Sequence, residues 1–173
     1  MSSVAIRTLD GHAAAEAVPH LGEVLIDSVE GGASVGFLAP LDQARAEEFW
    51  RSIAASVAAE RRVLIVAEEA GAILGTAVLS LAQAENQPHR ADLGKVLVRR
   101  SARCRGIGAR LMAAAEAEAL ARGRTLLVLD TATPEAERLY ERTGWTRVGA
   151  VPHFALMPDG THCATTFFYK SLA

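Results

Sequence analysis

RRSARCRGIGARLM, residues Arg99–Met112, packs five arginines, two glycines and a cysteine into a short run. Three surroundings would account for it: a phosphorylated ligand, a nucleic acid, or plain solvent. Its flanks decide how it is read. ADLGKVLVR, 91–99, alternates and branches like a β-strand, whereas the residues from about Gly106 to Ala121 read as a helix closed by Gly123. TLLVLDT, 125–131, is then a continuous apolar strand of the kind expected at a central parallel position. The basic run therefore sits at the turn of a strand–helix–strand crossover, and that position matters more than its charge.

Working outward, RVLIVAEE (62–69) and AILGTAVLSLAQ (72–83) read as an antiparallel hairpin turning at Gly71, joined by the ENQPHR loop to the 91–99 strand. On the N-terminal side, VAIRTL (4–9) reads as a short strand. One or two helical turns around Pro19 and a helix to about Val29 follow. Gly31, Gly32 and Gly36 make an adaptable loop, and Asp42 is placed to N-cap a helix over 43–60, with Phe49, Ile53 and Val57 on one face. On the C-terminal side, Thr133 reads as an N-cap with Pro134 at the first helical position, for a helix to about Thr143. WTRVG is a short strand and HCATTFFYKSL the last one. The fold class is therefore α/β (α+β in some schemes): one mixed central sheet with a right-handed crossover and helices on both faces, as a single domain over 1–173.

Composition narrows the function. The chain has 173 residues, half of them hydrophobic, enough for a substantial core. Eighteen basic residues face twenty acidic ones, a net charge of −2 that argues against a dedicated nucleic-acid binder. No aromatic residue lies between Trp50 and Tyr140 to stack on bases. No apolar run is long enough to span a membrane, so no membrane partner is expected, and the N-terminus is unlike a secretory signal. Two well-separated cysteines, Cys104 and Cys163, fit free thiols in a cytoplasmic protein. The five histidines, at 12, 20, 89, 153 and 162, have no metal-ligand spacing, so no metal is expected. Sixteen arginines against two lysines read as compositional bias of the source.

The chemistry available at the run is that of a helix N-terminus. Unpaired N–H groups and the helix dipole favour an anion there, and Gly106 and Gly108 let it approach the backbone. Arg103 and Arg105 can add charge-assisted bonds to phosphate oxygens. No acid occurs between Asp92 and Glu116 in the sequence, so no neighbour along the chain quenches the field. Arg99, Arg100 and Arg110 read as surface residues. The pattern is neither a P-loop nor a dinucleotide GxGxxG fingerprint, which needs a third glycine. From the residues alone, a pyrophosphate cradle leads, with solvated surface and nucleic acid still open.

VRRSARCRGIGARLM, preceded by ADLGKVLV, resembles the acyl-CoA signature of GCN5-related N-acetyltransferases, Arg/Gln-x-x-Gly-x-Gly/Ala, matched by Arg103, Gly106 and Gly108. LVLDTATPEAERLYERTGWTRVG, 127–149, resembles the family's second element, and the likeness covers roughly 4–172. The resemblance implies acetyl-CoA as acyl donor, with the backbone at Leu97, Val98 and Arg99 on the pantetheine arm. It implies Arg103, Cys104, Arg105, Gly106, Ile107, Gly108 and Ala109 around the pyrophosphate, and Tyr140 near the thioester sulfur. Asp92 and Asp130 match acidic positions that serve as general base or bind the amine in similar enzymes. Within the family, several segments resemble a subgroup that acetylates an amino-acid toxin, which points to a small amine such as a toxin or antibiotic. A protein N-terminus or lysine, or an acyl-CoA-binding module without transfer, are the alternatives, and a homodimer is a candidate assembly.

The residues can be weighed against that chemistry. An aliphatic amine with pKa ~10 is mostly protonated at neutral pH, and freeing it costs about 4 kcal/mol. A carboxylate is the group to take the proton, and Asp92 and Asp130 each stand alone in an apolar strand. Surface charge explains Asp92 equally well, and turn capping explains Asp130. Tyr140 can donate to the leaving thiolate, or simply pack beside Leu139. Cys104 sits in a basic field but reads as a bystander rather than a nucleophile. Phe37, Trp50 and His153 are candidate acceptor-pocket residues, and His89 a substrate-side auxiliary, each with a packing or loop role as the alternative.

Overall fold

The computed structural model describes residues 3–172. Seven strands form one mixed sheet in the order β1-β2-β3-β4-β5-β7-β6. The strands are β1 (Ala5–Leu9), β2 (Arg62–Glu69), β3 (Ala72–Leu81), β4 (Arg90–Val98), β5 (Leu126–Thr131), β6 (Thr146–Leu156) and β7 (His162–Ser171). The helices are α1 (Gly11–Glu16), α2 (Val18–Glu30), α3 (Gln43–Ala58), α4 (Ile107–Ala121) and α5 (Pro134–Arg142), with a short 3-10 turn at Arg100–Ala102. Asp10, Asp42 and Thr133 cap α1, α3 and α5 through side-chain oxygens that accept from Ala13, Arg45 and Ala136 N–H.

The alternation of β2 explains why helices cover both faces. Val63, Ile65 and Ala67 face one core with Ile107, Leu111, Ala115 and Ala119, the apolar stripe of α4. Leu64 and Val66 face a second core built from α1–α3, where Trp50 and Leu25 are fully buried. A strand buried on both sides reads as a continuous apolar run, as RVLIVAEE does.

Two expectations change. β5 is parallel only to β4, over Arg90–Asp92 with Leu126–Val128, and is antiparallel to β7 along its whole length. β6 runs eleven residues rather than the short strand expected from WTRVG. It lies at the sheet edge, where Pro152 breaks no shared ladder, and its register with β7 shifts twice.

These departures place the site. Beyond Asp92 and Val128 the two parallel strands have no ladder pairing, so β4 and β5 part toward their C-terminal ends. A bulge sharpens the divergence: on β3, Thr76 pairs with Leu97 and Val78 with Gly94, leaving an extra residue on β4. Lys95 there adopts φ 49°. The buried Thr76 hydroxyl donates to Lys95 O at 2.8 Å, fixing the bulge.

Candidate active site

The gap between β4 and β5 opens into a cleft of about 990 Å³. One wall is β4 from Leu93 to Val98, continuing into Arg103, Cys104 and the start of α4. The facing wall carries Asp130, Thr131, Tyr140 and Thr165, and the rim includes the Gly31–Gly36 loop and Phe154. At its base α4 begins with Gly106 at φ 74° and no side-chain cap. A Cβ built at Gly106 meets nothing within 4 Å, whereas one at Gly108 would stand 3.1 Å from Leu139 Cδ2. The first glycine thus serves a left-handed turn, and the second the approach of α5 to α4. The uncapped first-turn N–H groups of a fifteen-residue helix then face a bare, wide cleft, a setting that suits phosphate oxygens.

The arginine run has its own negative partners, and most are side chains of this chain. Arg99 reaches Glu23 at 2.6 Å and the Ile73 carbonyl at 2.8 Å. Arg100 pairs with Asp27 at 2.9 Å and Glu30 at 3.3 Å. Burial pulls Asp27 upward, but the Arg100 hydrogen bonds and the charges of Arg100 and Arg103 hold it below the usual carboxylate range. Arg105 grips both oxygens of Glu69, at 2.7 and 3.2 Å, and Arg110 donates to the Val4 carbonyl. The Glu69 hydrogen bond raises Arg105 and lowers Glu69. No acid is near in sequence, but α2 and β2 bring four acids to the run. Arg105, expected on the pyrophosphate, is thus engaged with Glu69 and is not among the residues that line the cleft. The Arg99 N–H is likewise taken, donating to Leu74 O at 2.8 Å, so it is not free for a pantetheine arm.

Arg103 is different. It lines the cleft and makes only a long 3.4 Å contact to Val98 O, with no salt bridge among the described residues. A charge-assisted bond to an anion contributes about 1.5–3 kcal/mol. Arg103→Ala should accordingly raise the Kd for acetyl-CoA by about tenfold or more, while Arg105→Ala leaves it within about twofold. Calorimetric titration of the two variants side by side measures this, and equal losses would return Arg105 to the phosphate site.

Asp130 and Tyr140 come together on the β5–α5 wall. Asp130 ends β5 and accepts from the buried Thr165 hydroxyl at 2.7 Å. Tyr140 is 6% exposed and packs edge-on to Phe168 at 5.6 Å. Burial, and then the Asp130 charge, push the Tyr140 phenol up to about 12. The result is a phenol that stays protonated at neutral pH in the same cleft lining as a carboxylate.

Other expected residues fall elsewhere. Asp92 lies near the start of β4, half-exposed and paired with Arg90 at 2.5 Å, and is not part of the cleft lining. His89 is exposed before β4, its carbonyl accepting from Thr125 and Leu126 N–H at the end of the sheet away from the cleft. Trp50 is fully buried in the α1–α3 core rather than facing a ligand. Phe37 packs on Phe49 with ring centroids 5.4 Å apart, behind the cleft rim. His153 is exposed on β6 against His162, and its neighbours Phe154 and Ala155 line the cleft instead. Cys104 lies exposed at the cleft mouth.

Lys95 went unnoticed in the sequence. Its half-buried ammonium lines the cleft 5.3 Å from the Phe49 ring centroid. Burial and the charge of Arg62 hold it below the ordinary lysine range, against the pull of Asp130. A signal was available: where sixteen positions use arginine, the two lysines stand out. The other, Lys170, is held by Glu116 and the Thr143 carbonyl. Among the described residues no cluster of metal-ligating side chains occurs, and no helix is long and apolar enough to cross a membrane.

Comparison with known proteins agrees with this architecture. An N-acetyltransferase of Staphylococcus aureus Mu50 superposes with a TM-score of 0.82 at 18% identity, covering 99% of this chain and 100% of that one. A phosphinothricin acetyltransferase of Sinorhizobium meliloti, solved in complex with acetyl-CoA, superposes with a TM-score of 0.79 at 20% identity, covering 98% and 89%. At these identities the likeness is one of fold. In sequence, an uncharacterized N-acetyltransferase in the hisH-hisA intergenic region of Azospirillum brasilense is 35% identical over 106 residues, which is 60% of this chain and 61% of that relative. The family model for GNAT acetyltransferases matches residues 33–145, well over half of the chain and the whole of the cleft-forming crossover. The chain belongs to the acetyltransferase (GNAT) family.

Proposed function

We propose that the chain transfers the acetyl group of acetyl-CoA directly to the amine of a small molecule. The observation that carries this reading is the parting of β4 and β5 above the bare N-terminus of α4, with Asp130 and Tyr140 on the facing wall. The first-turn N–H groups of α4 and the Arg103 guanidinium hold the pyrophosphate, and the unladdered edge of β4 at Leu97 and Val98 holds the pantetheine arm. Asp130 takes the proton of the incoming ammonium. The amine nitrogen then bonds to the thioester carbonyl carbon as the carbon–sulfur bond breaks, and the Tyr140 hydroxyl donates a hydrogen bond to the departing sulfur. The extra proton left on the bonded nitrogen passes through solvent to the thiolate, so the products are an amide, coenzyme A as its thiol and the proton first taken by Asp130, with no covalent enzyme intermediate.

The subgroup likeness noted in ADLGKVLV, LVLDT, TRVG and PDG…FYK is to tabtoxin-resistance acetyltransferase, which favours an amino-acid-like toxin or antibiotic as acceptor over a protein terminus. In the same reading residues 1–173 act as one cytoplasmic catalytic domain. A thiol-release screen of acetyl-CoA against amines, amino acids and peptides tests it. Release with a small amine, and detection of the acetylated product by mass spectrometry, is expected. Tight acetyl-CoA binding without transfer to any of them would make the chain a binding module.

A further inference from the structure

Lys95 is a half-buried charge of the cleft that this mechanism does not use, and it is unusually prepared. The bulge that carries it is held by the buried Thr76, and φ 49° is a strained choice for a lysine. Its ammonium stands over the Phe49 ring and 4.0 Å from where a Gly36 Cβ would lie, so a loop and α3 enclose it. Among the described residues it makes no salt bridge, although Arg99, Arg100 and Arg105 a few positions on each have a carboxylate. A half-buried ammonium facing a cleft is one ligand short of neutral, and the Phe49 face compensates it only in part. The phosphate-binding groups lie further along the chain, from Arg103 onward, so Lys95 is not needed there. Asp130, the only acid of β5, lines the same cleft and acts electrostatically on Lys95.

We propose that Lys95 and Asp130 together select an acceptor carrying a carboxylate close to its amine, Lys95 binding the carboxylate and Asp130 the ammonium. This rests on the transfer reading for the role of Asp130, and adds to its amino-acid-like acceptor the residue that would recognise the acceptor's carboxylate. Phe49 and the Gly36 loop then set the carboxylate end of the acceptor site. Lysine suits this task as a compact charge on a flexible stem, where the broad arginine fork would need more room between Gly36 and Phe49.

The scarcity of lysine supplies a direct test. Protein labelled with 13C at the lysine ε-carbon gives two signals, and Lys95→Arg assigns them. With coenzyme A bound, the wild-type protein is titrated with the twenty L-amino acids and with their decarboxylated amines. At least one amino acid should move the Lys95 signal while Lys170 stays still, and its decarboxylated partner should not. In thiol release, Lys95→Gln should lower the preference in kcat/KM for that amino acid over its amine by at least tenfold, chiefly through KM. Lys95→Arg should restore part of it. A Lys95 signal that no amino acid moves, or that amines move equally, overturns the proposal even if amines are acetylated. A Lys95 signal moved only by carboxylate-bearing ligands, with no thiol released, upholds the carboxylate site and defeats the transfer reading instead.

Discussion

Tyr140→Phe is expected to lower kcat by about 10²-fold, the cost usual for losing one hydrogen-bond donor to charge that develops in the transition state, with little change in the KM for acetyl-CoA. The ring itself stays, packed on Phe168 and Trp145, so the fold should be retained. A phenol pushed up to about 12 by burial and by Asp130 keeps its proton throughout the working range. The defect should therefore be the same from pH 7 to pH 10. In the proposed mechanism the hydroxyl is then a hydrogen-bond donor to sulfur rather than an acid that gives its proton away completely, because a thiol is the stronger acid. The same shift has a stability consequence. Between pH 10 and 12 the unfolded chain loses this proton while the folded chain retains it, so stability falls as pH rises through that window. The contribution is about 3 kcal/mol, fully present below pH 10 and gone above the folded value. Urea unfolding at pH 9 and pH 11.5 should show a steeper loss for the wild type than for Tyr140→Phe. Parallel losses would mean that the hydroxyl is not held in its buried, protonated state.

Asp130→Asn is expected to lower kcat/KM by about 10²–10³-fold at pH 7, because the amine must then enter already deprotonated. The free-base fraction of an amine with pKa ~10 rises tenfold per pH unit, so the variant should recover activity as pH rises toward 9. Thr165→Val removes the hydroxyl that orients the carboxylate and should cost less, about tenfold. Asp92→Asn should stay close to wild type, since Asp92 pairs with Arg90 outside the cleft. If Asp92→Asn were the crippled variant, the proton acceptor would have been assigned to the wrong strand.

The sequence made the crossover legible because each of its signals is local. The strand before Arg99, the glycines at 106 and 108, the Thr133–Pro134 cap and the glycine ending the fourth helix all act over a few residues, and the elements fall within two residues of their expected bounds there. Asp130 and Tyr140 came from the resemblance of residues 127–149 to the family's second element rather than from any local signal. What stayed hidden depends on contacts made across the fold. Glu23, Asp27, Glu30 and Glu69 lie at least 30 positions from the arginines they neutralise, so a field read from neighbours along the chain was overestimated. Trp50 reads as a ligand-facing aromatic or as core with equal ease, and only the packing of three helices on the sheet resolves it. Asp92 looked equivalent to Asp130 as a lone acid in an apolar strand. It differs because β4 and β5 are still laddered at its level and have parted at the other. Lys95 was masked by a β-bulge, which has no dependable sequence signature.

Acetyl-CoA should bind at the bare helix start beneath the parted strands. Calorimetric titration of the wild type with acetyl-CoA, beside Gly106→Val, tests this most directly. A β-branched residue is strained at φ 74° and covers the backbone that faces the cleft. One site per chain is expected in the wild type, and at least a hundredfold weaker binding in a Gly106→Val protein that still unfolds cooperatively. Undiminished binding by that folded variant would contradict this placement of the site.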